Sequence, residues 1–104
     1  MVSFPGAGIY ELDQYVTFPS TPISLTLTFY AMTTQPANYC SILAAFGRRG
    51  GGNYAQTQVS VTGTWTGYSV SGTTDGYTLG YVALVVQCEG GTNNEVFIDD
   101  ITLN

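Results

Sequence analysis

The sequence predicts an all-β chain folded as an antiparallel sandwich of about seven to eight strands, in one domain spanning residues 1–104. Three observations predict it. Apolar residues recur with period two almost throughout, the signature of strands with one buried face. Gly, Pro, Asn and Thr punctuate the chain at short intervals, as turns between strands do. No stretch with apolar residues at helical spacing is long enough to compete. With 104 residues the chain can bury roughly two-thirds of its unfolded surface in a single core.

Each element follows from its own pattern. IYELDQYVTF (9–18) sets Leu12, Val16 and Phe18 against Glu11, Asp13, Tyr15 and Thr17, and Pro19 and Pro22 end it. ISLTLTFYAM (23–32) alternates Ile23, Leu25, Leu27, Phe29 and Ala31 with Ser24, Thr26, Thr28 and Tyr30. CSILAAF (40–46) is the next strand, followed by the loop GRRGGGN and the strand YAQTQVSVT (54–62). TWTGYSVSG (64–72) leads into the turn TTDG, where Asp-Gly is a strong turn signal. YTLGYVALVVQC (77–88) is the most apolar run and is expected to lie centrally in a sheet. EGGTNNE is a loop and VFIDDITLN closes the sequence.

Composition narrows the function. The chain is 44% hydrophobic and 13% aromatic but only 9% charged, against roughly a quarter in ordinary soluble domains, so its surface is built from hydroxyls, amides and tyrosines. The formal net charge is −5, with Arg48 and Arg49 the only cationic side chains. Nucleic acid and anionic membranes both demand basic patches, so neither is an expected partner. No window approaches the ~18 apolar residues of a membrane span. MVSFPGAGIY lacks the basic and apolar regions of a signal peptide. Histidine and lysine are absent, which leaves serine or cysteine nucleophiles without a conventional base, so no enzyme is expected. The cysteines, Cys40 and Cys88, belong to strong strand segments and are expected to form a disulfide; two buried free thiols are the alternative. That bond and the composition point to an extracellular setting.

Taken in order, LDQYVTFP, ISLTLTFYA, a cysteine opening a strand, GTWTGYSVSGT, an apolar strand ending in cysteine and VFIDDITL resemble the galactose-binding-like jelly roll of carbohydrate-binding modules, especially those of secreted fungal proteins. The resemblance covers nearly the whole chain. Gln14 stands where that family has a Gln before its first paired strand, and Trp65 where a structural core Trp opens a strand. The family usually carries an additional entry strand before this point. The resemblance therefore implies that VSFPGAG or a partner chain supplies it, or that a sheet edge is left uncovered and open to self-association. It also implies that Asp99 or Asp100 helps hold a structural calcium with backbone carbonyls; the alternative is a β-bulge with one carboxylate in water and the other accepting backbone amides.

Aromatic rings stack on the apolar faces of sugars while amides and hydroxyls bond the rim. By alternation Tyr30 lies opposite the core face of its strand, and Tyr81 and Gln87 opposite that of theirs. If these outer faces share one sheet, Tyr30, Tyr81 and Gln87 form a groove. Tyr15 and Tyr54 extend it, with Asn53, Arg48 and Arg49 on a loop beside it. The expected function is non-catalytic glycan binding, with no cofactor beyond that calcium. The alternatives are tyrosines that merely cover a sheet, or a structural module associating through its edge.

Overall fold

A computed structural model describes residues 2–5, 8–89 and 95–104. Among them are eight strands: β1 (Val2–Pro5), β2 (Gly8–Thr17), β3 (Ser24–Thr33), β4 (Cys40–Arg48), β5 (Asn53–Ser60), β6 (Thr66–Thr73), β7 (Leu79–Cys88) and β8 (Glu95–Leu103). A single 3₁₀ turn, Pro36–Asn38, joins β3 to β4. The loop predicted over EGGTNNE lies mostly outside the described residues.

The strands form two four-stranded antiparallel sheets, a front sheet in the order β2-β7-β4-β5 and a back sheet in the order β1-β8-β3-β6. This is the expected jelly-roll sandwich, with β7 inside its sheet as its apolar run requires. The entry strand comes from the chain's own Val2–Pro5, which pairs with Glu95–Ile98 of β8.

Alternation fills the space between the sheets. Leu27, Phe29 and Ala31 of β3, with Val96 and Ile98 of neighbouring β8, face Ile42, Ala44 and Phe46 of β4 and Leu84 and Val86 of β7, all buried. Each large side chain so buried contributes about 1.5–3 kcal/mol. Phe18, just past β2, meets Phe46 edge-on at 6.4 Å. Gly80 makes room for it, because a Cβ there would stand 2.1 Å from the Phe18 ring. Cys40 and Cys88 are register partners on β4 and β7 and are joined as a disulfide, which removes the free-thiol alternative.

One expectation fails. Trp65 is not a core residue: it precedes β6 and is 46% exposed. The alternation that carries Val70 and Tyr68 inward turns Trp65 out of the core, because β6 begins only at Thr66.

Candidate functional site

The outward positions of the front sheet form one polar-aromatic face. Tyr15 of β2 and Tyr81 of β7 are direct cross-strand partners there, so their side chains rise side by side. Glu11 and Asp13 continue the row on β2, while Ala83 and Gly50–Gly51 complete a cleft of about 540 Å³ around the tyrosines. That volume lies within the ~300–1,000 Å³ range of small-ligand sites. Tyr15 is 69% exposed, far more than its partner. Burial, and then the negative charge of Asp13, raise the Tyr81 hydroxyl above its ordinary pKa, so it remains a neutral donor at physiological pH.

Gln87 shares this face but stands six residues along β7 from Tyr81, ~20 Å away at strand rise. Its neighbour across the ladder is Ser41, whose hydroxyl accepts from the Gln58 side chain at 3.4 Å. On β5, Asn53 donates to Gln56 Oε1 at 2.6 Å. Amides therefore stand both across the sheet from the tyrosines, at Asn53 and Gln56, and farther along it, at Gln58 and Gln87. Gln56 and Gln58 went unnoticed in the sequence, although their alternation with Ala55, Thr57 and Val59 was the available signal.

The two arginines part company. Arg49 lays its guanidinium over the Tyr15 ring, 4.0 Å from the centroid, and reaches the carbonyls of Gly80 (3.4 Å) and Val16 (3.5 Å). It belongs to the front cleft. Arg48 turns instead to the end of the sandwich, over the Tyr77 ring at 4.2 Å and with Nε 3.4 Å from Asp75 Oδ2. Its expected place beside the groove is thus corrected, because the last residue of β4 points the opposite way from its neighbour.

Tyr54 joins Arg48 there rather than the groove. A bulge between Phe46 and Gly47 puts two β5 residues opposite one of β4. The Tyr54 ring accordingly packs edge-on against Phe18 at 5.7 Å and near Phe46 at 6.4 Å. Its hydroxyl donates to Asp75 Oδ1. Burial and then that bond raise the Tyr54 pKa, while the same bond, joined by the Tyr77 amide, lowers that of Asp75. Tyr30 is also separated from Tyr81: β3 lies in the back sheet, so Tyr30 projects from the opposite outer face, 48% exposed. The single groove assembled by alternation joins residues of two sheets. Period two fixes which residues face outward but not which sheet carries them.

Asp99 and Asp100 form a bulge. Two residues, Asp100 and Ile101, stand between the register pairs Tyr30–Asp99 and Thr28–Thr102, where β3 has only Phe29. Asp100 adopts a left-handed φ of 54° and points to solvent, and its amide donates to Asp99 Oδ1 at 2.9 Å. Among the described residues no third acidic, histidine or cysteine side chain joins them. Two carboxylates alone supply fewer than the six to eight oxygens calcium takes, so the remainder of such a site would have to be backbone carbonyls, as the resemblance implies.

No protein-family model matches the sequence, and no curated protein does. Solved structures are similar in fold. "Family 16 Carbohydrate Binding Module-2" shares 22% identity, covering 98% of this chain and 74% of that one, with a TM-score of 0.68. A CBM61 module in complex with β-1,4-galactotriose shares 23%, covering 98% and 68%, also at 0.68. The N-terminal cellulose-binding domain of Cellulomonas fimi β-1,4-glucanase C shares 18%, covering 83% of this chain and 62% of that one, at 0.58. The chain thus has the jelly-roll β-sandwich fold of carbohydrate-binding modules.

Proposed function

We propose that the protein is a non-catalytic carbohydrate-binding module whose ligand lies along the outer face of the front sheet. The observation that carries this reading is the Tyr15–Tyr81 pair, two neighbouring rings in an open cleft with Arg49 holding one face of Tyr15. Tyr15 and Tyr81 take the apolar faces of pyranoses, and the amides of Gln87 and Gln58 serve hydroxyls farther along. The fold shared with modules named for cellulose and galactotriose binding supports the same reading. The Cys40–Cys88 disulfide supports an extracellular setting.

Self-association drew its motive from a missing entry strand. β1 covers Glu95–Ile98 from within the chain, so that motive is gone along this stretch. The test is isothermal calorimetry against β-1,4-galactotriose, cellohexaose and a wider neutral glycan panel. Binding that Tyr15→Ala and Tyr81→Ala each weaken roughly tenfold or more is expected, about 1.4 kcal/mol or more. Binding indifferent to both substitutions would overturn the front-face assignment.

A further inference from the structure

We infer that the back sheet carries a second, independent sugar platform centred on Tyr30, so that the module grips two glycan segments on opposite faces. Tyr30 pairs across the ladder with Gly67 of β6. A Cβ on Gly67 would stand 3.0 Å from Tyr30 Cε1 and 3.2 Å from Cζ. The ring therefore lies over the bare backbone of Gly67, a place no other residue type would leave free, and 48% of the residue stays open to solvent. A ring resting on the sheet with its other side in water is the posture that stacking on a pyranose requires.

The surroundings fit the same ligand. Asp99 is the partner of Tyr30 on the side away from Gly67. Beyond it run paired hydroxyls, Thr28 with Thr102 and Thr26 with Ser71 at 2.8 Å. Trp65, 46% exposed, is two residues from Gly67, ~7 Å along the chain. Both arginines lie on strand β4 or its loop in the front sheet, so among the described residues no cationic side chain belongs to a back-sheet strand. The chemical class is an uncharged hexopyranosyl oligosaccharide, whose apolar ring faces suit Tyr30 and whose hydroxyls suit the paired Thr and Ser hydroxyls beside it.

The two faces can be read separately because Trp65 is the sole tryptophan. Its fluorescence is titrated with β-1,4-galactotriose and cellohexaose, alongside calorimetry, in the native protein, in Tyr15→Ala/Tyr81→Ala, in Tyr30→Ala and in Gly67→Val. The Gly67 backbone is ordinary strand, so valine is accepted there while its side chain lifts the tyrosine ring. A saturable Trp65 change that survives Tyr15→Ala/Tyr81→Ala and weakens roughly tenfold or more in Tyr30→Ala is expected. Gly67→Val should reproduce that loss without removing a group that touches the sugar. A silent Trp65, with a single calorimetric site abolished by Tyr15→Ala/Tyr81→Ala, would overturn the second platform and leave the front face standing. Absence of heat and of any Trp65 change across both sugars would overturn both. Circular dichroism confirms that each variant is folded, and Tyr30→Ala decides the matter if Gly67→Val is not.

Discussion

The two outer faces of the sandwich use the same residues to different ends. On the front face two tyrosines stand together, acidic side chains line one strand and an arginine braces a ring. On the back face hydroxyls pair across strands and a lone tyrosine lies over glycine. The sheets are also tied differently. Each sheet absorbs a bulge, at Phe46–Gly47 in front and at Asp100 behind, but the front sheet is also pinned by a disulfide between β4 and β7. What the difference teaches is that the front sheet is braced covalently while the back sheet relies on local backbone geometry and hydroxyl ladders.

The largest expected effect breaks the front brace. Replacing both Cys40 and Cys88 by serine releases a cross-link between residues 48 apart. In the chain-entropy account this costs about 4 kcal/mol of unfolding free energy, read from urea denaturation. A loss below ~1 kcal/mol would mean that β4–β7 pairing already restrains the unfolded chain. Next comes the back-sheet bulge. Asp100 sits at a left-handed φ of 54°, which a β-branched residue resists, so Asp100→Ile is expected to cost about 1–2 kcal/mol. Asp100→Gly, conformationally at ease there, should be close to neutral. If both variants behaved alike, the bulge would not be what sets the cost.

Most of the fold was legible because burial on one face leaves a period-two trace. The inner residues of β3, Leu27, Phe29 and Ala31, are buried as their alternation with Thr28 and Tyr30 implied. The cysteine pairing was legible for a different reason: both residues lay in strand-forming segments and no alternative chemistry used them. The candidate site was only half legible. Tyr15 and Tyr81 emerged together, but Tyr30 was assigned to their groove because alternation carries no information about which sheet a strand joins. Tyr54 and Arg48 failed for a local reason, since the bulge at Phe46–Gly47 and the end of β4 redirect them toward Asp75. Trp65 failed because a family-like position does not fix where a strand begins.

That end cluster sharpens the comparison through pH. The Asp75 pKa is lowered, first by the Tyr54 hydroxyl, so the folded state binds the acid proton less readily than the unfolded chain. The stability it contributes is present above the ordinary aspartate pKa and is lost as pH falls through the depressed folded value. The Tyr54 pKa is raised, first by burial, so its contribution is complete below the ordinary tyrosine value and is lost as pH rises through the folded one. Urea midpoints measured from pH 5 down to pH 2 should fall more steeply in the native protein than in Tyr54→Phe. Parallel curves would show that the hydroxyl does not govern Asp75.

The smallest effect is expected on the back face. The Thr28 and Thr102 hydroxyls bond each other there, in contact with water, and an exposed pair exchanges its bond for solvent at little net cost. Thr28→Val keeps the β-branched shape and strand preference while deleting the hydroxyl, so stability should change by less than about 0.5 kcal/mol. Far-face sugar affinity is the more sensitive readout, because a ligand hydroxyl that meets a methyl loses water without regaining a bond. Unchanged stability with weakened Trp65-detected binding would assign the hydroxyl ladder to recognition. A stability loss above ~1 kcal/mol would assign it to holding β3 against β8, the same structural part that the disulfide plays between β4 and β7.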